Sequence, residues 1–174
     1  MSDMRNAIMD AAEQRIRKGG YGAFSFREIA ADVGIKSASV HYHFPTKEDL
    51  AAAVIRRYSD WVVEQFDKAL KDEPDAKKMW AKALGWTAKT HCMCPGLILG
   101  AMSQDLPPKV SLEVKRFFQM HLDKAAETGL SPAEAAELVS VTMGAMVLAN
   151  ALGDTALYDQ AADEYLRHAA AAAA

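Results

Sequence analysis

The chain has 174 residues and a formal net charge of −3, and 51% of its residues are hydrophobic. A chain of this length can bury one good core, or support a small domain attached to a larger one. The opening residues are charged and lack a continuous apolar segment, so they do not resemble a secretory signal. The longest uncharged run, 138–153, is shorter than a bilayer span, and two cysteines make no disulfide framework. We therefore expect a cytoplasmic protein without membrane contact.

Charge is distributed unevenly along the chain. Residues 1–57 hold nine Lys and Arg against seven Asp and Glu, which gives +2, whereas the remainder holds eleven against sixteen, which gives −5. This asymmetry indicates that the N-terminal part is the one that meets phosphate. The excess is small, so specific contacts and dimerisation would have to supply most of the affinity for a nucleic acid.

The first predicted element is a helix from Met4 to Lys18, because apolar residues recur there at helical spacing and Gly19–Gly20 ends it. A second helix is predicted to begin at Phe26. Ser25 is a suitable N-cap for it, and Glu28 three residues later fits a capping box.

A glycine turn and a third, short helix follow. Gly34 permits a sharp turn, and Ser37–His43 is predicted to be helical with Val40 and Phe44 pointing inward. Two short helices joined in this way indicate a helix-turn-helix, whose second helix lies in the DNA major groove. The outward residues include no acidic group and offer small hydroxyls, imidazoles and a phenol that suit contacts with bases and phosphates. They are Ser37, Ser39, His41, Tyr42 and His43.

The rest of the chain also has helical periodicity, and no segment alternates with a period of two. Thr46 and Asp49 fit a second capping box, which starts a long fourth helix from Lys47 to about Leu70. We therefore predict an all-α fold of about nine helices. The last five are placed at 76–93, 97–104, 109–127, from Ser131 onward, and at 155–168.

The segment from Tyr21 to Leu50 resembles the N-terminal domain of TetR-type transcriptional regulators. The resemblance lies in Gly20-Tyr21-Gly22, Ser25, Ile29-Ala30, Gly34 and Tyr42-His43-Phe44-Pro45-Thr46-Lys47. His41 departs from the Tyr usual in the family, and Lys36 from a capping Ser. The resemblance implies a double-stranded DNA operator as partner and assigns DNA contacts to Ser25, Arg27, Lys36, Ser37, Ala38, Ser39, His41, Tyr42, His43 and Lys47.

The same resemblance implies two domains. Residues 1–46 would form the three-helix DNA-binding domain, and 47–174 a helical domain for effector binding and dimerisation, with 47–70 as the connecting helix. The helix after Ser131 is apolar on two sides, which predicts either a homodimer contact or a central core helix in a monomer. TetR-like proteins dimerise through their last two long helices, and the expected interface residues are Val139, Met143, Met146, Val147, Asn150, Tyr158 and Tyr165.

Family members release DNA when a small molecule binds the C-terminal domain, so we expect a repressor with an effector pocket. Aromatic residues and methionines of that region could line an apolar cavity, or could simply fill the core. The expected pocket residues are Trp80, Leu84, Thr87, His91, Cys92, Cys94, Phe117, His121 and Met143.

The segment His91-Cys92-Met93-Cys94 carries three open interpretations: a soft-metal site, a thiol sensor of reactive effectors, or core filler. No phosphate loop, HExxH or GxSxG motif occurs, so we predict neither an enzyme nor a cofactor. The alternatives are a thiol- or metal-binding protein or enzyme that uses His91, Cys92 and Cys94, and a helical adaptor without DNA affinity.

Overall fold

The computed structural model describes residues 2–73, 75, 77–80 and 93–172. These residues contain eight α-helices, a further helical segment at 77–80, a 3-10 helix at Tyr21–Ala23 and no strand, which confirms the predicted all-α class. The helices are α1 (Ser2–Gly19), α2 (Phe26–Val33), α3 (Ser37–His43), α4 (Lys47–Asp72), α5 (Pro95–Ala101), α6 (Pro108–Glu127), α7 (Pro132–Leu152) and α8 (Ala156–Ala172).

The predicted helix boundaries are close to the observed ones except around Pro95. The sequence placed Pro95 at the end of a helix over 76–93, most of which lies outside the described residues. Pro95 instead begins α5, so the helix expected at 97–104 starts two residues earlier and ends at Ala101. Proline suits the first helical position because no partner is needed there for its missing N–H.

Side-chain and backbone caps fix the ends of α2 and α4. Ser25 Oγ accepts from the Glu28 backbone N–H at 3.3 Å, and the Glu28 carboxylate accepts from the Ser25 hydroxyl at 2.8 Å. Gly34 closes α2 at φ 75°, a left-handed conformation that favours glycine. Thr46 and Asp49 form the reciprocal box, with the Thr46 N–H donating at 3.0 Å and the Asp49 N–H at 3.1 Å.

The chain divides into two compact units with separate cores. The first comprises Met1–Asp60 and Cys94–Phe118, and the second Trp61–Met93 and Gln119–Ala174. These units differ from the predicted domains 1–46 and 47–174, which remain a functional hypothesis. Fully buried side chains of the first unit include Ile8, Ile16, Ile29, Val40, Leu50, Ile55 and Val110, and those of the second include Phe66, Trp80, Leu138 and Tyr158.

Within the first unit, α5 packs against α6 through two glycines. A Cβ on Gly96 would lie 2.6 Å from the buried ring of Phe117, and one on Gly100 would lie 2.5 Å from Phe118. The α5 backbone therefore approaches these rings more closely than any other residue would allow.

In the second unit, α7 begins with a reciprocal capping box between Ser131 and Glu134, as the sequence predicted. By length and composition alone α7 could cross a membrane, but a core helix passes the same test. One side of α7 is buried in the unit, with Leu138, Thr142 and Met146 at most 2% exposed. The other side is exposed, and it includes Val147 and Leu148.

We expect Gly96→Ala to lower the free energy of unfolding by about 1–3 kcal/mol, because the added methyl overpacks against a buried ring. Urea denaturation of the purified chain measures this. Gly22→Ala is the matched control, since a Cβ there meets nothing within 4 Å. Equal stability of the two variants would contradict the close approach of α5 and α6.

Candidate nucleic-acid interface

The outward face of α3 follows from the two residues that it buries. Val40 is 0% and Phe44 2% exposed, and they lie four residues apart on one side of the helix. The remaining side chains must therefore face away from the core. Tyr42, whose side chain is 75% exposed, is the most prominent of them, and its ring meets that of His43 edge to face at 5.2 Å.

Three ring contacts bring the starts of α2 and α4 together with α3. The rings of Phe26 and His41 lie 4.6 Å apart, which joins the first residue of α2 to α3. The Lys47 Nζ lies 4.4 Å from the ring centre of Tyr21 and 4.6 Å from that of Phe24. Because Phe24 and Phe26 are two residues apart, the starts of α2 and α4 lie close to the C-terminal half of α3.

Lys47 is held on these rings without losing its hydrogen-bond donors. Ring faces attract an ammonium group electrostatically, and they accept none of its N–H groups as an oxygen would. Partial burial lowers the pKa of Lys47, while the nearby charge of Glu28 acts to raise it. The side chain therefore presents a positioned cation that can still donate to a phosphate.

Two acidic groups beside this face share one arginine of α1, which offsets part of their negative charge. Arg15 donates to Asp32 at 3.0 Å and to Glu28 at 3.2 Å. The Arg15 hydrogen bond lowers the pKa of Asp32, and the Ser25 hydroxyl is the main cause of the lowered pKa of Glu28. Repulsion of a polyanion by α2 is thereby reduced.

The structure places the ten predicted DNA-contact residues at the surface of the first unit. Arg27, Lys36, Ala38 and His41 are exposed, as are Ser25 and Tyr42, while Ser37, Ser39, His43 and Lys47 are half-buried. The Ser25 hydroxyl is already engaged with Glu28, so a phosphate would compete with the cap. The sequence analysis did not identify Arg15, nor the rings of Tyr21 and Phe24 that Lys47 contacts. Both features depend on contacts between separate elements.

The predicted effector-pocket residues do not form one observed cluster. Trp80, His121 and Met143 are buried in the second unit, whereas Cys94 and Phe117 are buried in the first. The rings of Trp80 and His121 lie 6.0 Å apart. Leu84, Thr87, His91 and Cys92 lie outside the described residues, so the pocket as a whole remains a prediction.

Cys94 has the surroundings of an unreactive core cysteine. It is 5% exposed, and burial raises the pKa of its thiol despite hydrogen bonds from Tyr58 and from the backbone of Leu97. A thiol that stays protonated is a poor nucleophile and metal ligand. Among the described residues no group of three potential metal ligands occurs.

Most of the predicted dimer residues are turned into the chain's own core. Val139, Met143, Met146, Tyr158 and Tyr165 are each at most 7% exposed, so their side chains are not available to a partner. The more apolar stripe of α7 packs inward, in contact with α8, and the predicted dimer interface as a whole stays a prediction. Val147 and Asn150 are exposed, and a dimer contact on α7 would have to use that side.

Comparison with known proteins gives one consistent result. The profile of the family described as "Bacterial regulatory proteins, tetR family" matches residues 8–54. The HTH-type transcriptional repressor KstR2 of Mycolicibacterium smegmatis is 30% identical over 66 residues. That alignment covers 38% of this chain and only 32% of the repressor, so about a third of the relative's length is matched.

Solved structures match over nearly the whole chain. A TetR transcriptional regulator from Legionella pneumophila is 30% identical with a TM-score of 0.83, covering 93% of this chain and 95% of that one. A TetR-family transcriptional regulator from Agrobacterium tumefaciens is 28% identical with a TM-score of 0.87, covering 96% and 97%. The similarity therefore extends beyond the helix-turn-helix to both units.

We expect Cys94 to resist alkylation in the folded protein. In a Cys92→Ser variant, iodoacetamide should label Cys94 at least about tenfold more slowly than in guanidinium, because access requires local unfolding. Mass spectrometry of the Cys94 peptide measures the rate. Rapid labelling of the native protein would instead support the thiol-sensor interpretation.

Proposed function

The chain belongs to the TetR family of bacterial regulatory proteins, and on that premise we propose that it is a repressor that binds a palindromic DNA operator as a homodimer. A small-molecule effector would release it from DNA. We place this activity in the cytoplasm, and we propose no enzymatic reaction. The predicted division into a DNA-binding domain, 1–46, and an effector and dimerisation domain, 47–174, is part of the proposal.

The observation that carries the proposal is the face of α3 together with Lys47. Helix α3 offers hydroxyls, imidazoles and the exposed Tyr42 ring, and no carboxylate. Beside it, the Lys47 ammonium is positioned on two rings with its donors free for a phosphate oxygen. Such a face suits a major groove better than a solvated surface, where charged residues usually dominate.

A homodimer is supported by the exposed side of α7. Ser140, Gly144, Val147, Leu148 and Ala151 are exposed and carry no charge. An uncharged, partly apolar stripe on a surface helix is typical of an interaction site, and small residues let a partner helix approach closely. A two-fold axis would place two α3 helices at half-sites about one DNA turn apart, roughly 34–36 Å.

The alternative, a thiol- or metal-binding protein, receives little support from the described residues. Cys94 is buried and its pKa is raised, while His91 and Cys92 lie outside the described residues. As far as Cys94 is concerned, a noncovalent effector therefore has more support than a thiol-reactive one.

DNA selection from a random duplex pool tests the proposal directly. We expect an enriched palindrome, and we expect Tyr42→Ala to weaken its binding about tenfold, or about 1.4 kcal/mol. Lys47→Met should weaken binding to all sequences and lower the salt dependence by about one ion per subunit. Methionine keeps the apolar contact with the rings, so the fold should be unaffected.

Lys68→Met is the matched control, because Lys68 is exposed on the same helix but lies outside the proposed interface. Its operator affinity and salt dependence should equal those of the unchanged chain. No enriched duplex, or equal losses in Lys47→Met and Lys68→Met, would contradict the proposed interface.

We expect Leu148→Glu to raise the dimer dissociation constant at least about tenfold, since it places a charge in the proposed contact. Leu112→Glu is the control, because Leu112 is a similarly exposed leucine, 49% against 57%, on α6. Sedimentation velocity measures both. An unchanged dimer in Leu148→Glu would show that α7 is not the contact.

A further inference from the structure

Trp80 has a buried hydrogen-bond donor without an acceptor. Its side chain is 0% exposed, and within the described part of the chain its Nε1 is the buried side-chain polar atom that lacks a partner. An indole N–H can only donate, so neither tautomerism nor rotation of a hydroxyl can relieve it. Buried polar groups are nearly always paired, and an exception points to a bound molecule that completes the site.

The residues around this donor form a buried aromatic cluster in the second unit. The ring of Phe66 lies 4.1 Å from that of Trp80 with a tilt of 39°. His121 meets Phe66 edge to face at 5.7 Å and lies 6.0 Å from Trp80. Phe66 and His121 are also buried, at 2% and 1% exposed. Such surroundings suit a planar, apolar molecule.

Two charged side chains next to this cluster in the chain, Lys124 and Lys77, are already paired. Lys124 bonds Asp67 at 3.1 Å, and Lys77 bonds Glu134 at 3.1 Å. An ionised ligand among these buried rings would lose its hydration, and neither of these two ion pairs offers it an unpaired charge. A neutral molecule is the class that fits.

We propose that Phe66, Trp80 and His121 bind a flat, uncharged effector whose carbonyl-type oxygen accepts a hydrogen bond from Trp80 Nε1. This inference rests on the proposed effector-controlled repressor and adds the chemistry of the effector. The acceptor must lie near the plane of the indole, about 2.9–3.0 Å from Nε1. A molecule of the same shape without an acceptor would leave the donor unpaired, so the site discriminates strongly between the two.

A pair of probes that differ in one carbonyl tests this. 1-Indanone and indane have the same fused-ring skeleton, and only the ketone can accept from Trp80. Titration of the full chain, followed by tryptophan fluorescence, should give at least tenfold tighter binding of 1-indanone. In Trp80→Phe, which keeps an aromatic ring and removes the N–H, the two probes should bind equally. Trp61→Phe is the matched control and should retain the preference.

An NMR measurement on the unchanged chain tests the same hydrogen bond, and it does not depend on how well Trp80→Phe folds. In the unchanged chain, the indole N–H resonance of Trp80 should shift downfield with 1-indanone and not with indane. The proposal would be overturned if Trp80→Phe kept the preference for 1-indanone. It would also be overturned if the Trp80 indole resonance did not shift up to the solubility limit of the ketone, including the case in which that N–H donates to a water molecule that 1-indanone does not displace.

Binding of the selected DNA duplex, measured on the same preparations, separates the two proposals. A chain that binds the duplex but does not distinguish the probes overturns only the effector site. A chain that distinguishes the probes but enriches no duplex supports the site and overturns the repressor function.

Discussion

Burial of Val40 and Phe44 is the constraint on which the candidate interface depends. Helix α3 has seven residues and its N-cap, Lys36, makes no side-chain hydrogen bond. A helix this short is marginal in water without tertiary packing. The core of the first unit therefore both stabilises α3 and sets its rotation, because fixing two residues four apart fixes the direction of every other side chain. The polar face is thus a consequence of the apolar one.

Features specified by neighbouring residues could be predicted from the sequence. The turn at Gly34, the boxes at Thr46–Asp49 and Ser131–Glu134, and the inward pair of α3 each involve residues at most four apart. Their geometry follows from helix periodicity and from the donors left open at helix ends. The class of the fold and the surface exposure of α3 followed from these local rules.

Features that join distant residues could not be predicted in this way. Arg15 meets Asp32 across 17 positions, and Lys109 pairs with Asp49 across 60. The inward stripe of α7 was assigned to a partner chain, because a helix apolar on two sides does not reveal which side its own core covers. The sequence likewise left open whether Cys94 is a metal ligand, a reactive thiol or core filler, and it is the burial of its side chain that favours the core.

Helices α4 and α6 each contribute residues to both compact units, which bears on how an effector could act on DNA binding. Lys47, Arg56 and Phe66 lie on α4, while Glu113 and His121 lie on α6. In the first unit Glu113 accepts from Arg56, so the two helices are joined there by a buried carboxylate. Phe66 and His121 join them again in the second unit. A ligand on the rings of Phe66 and His121 would thus contact both α4 and α6. Such a ligand changes DNA affinity only if it binds one arrangement of these helices more tightly than another.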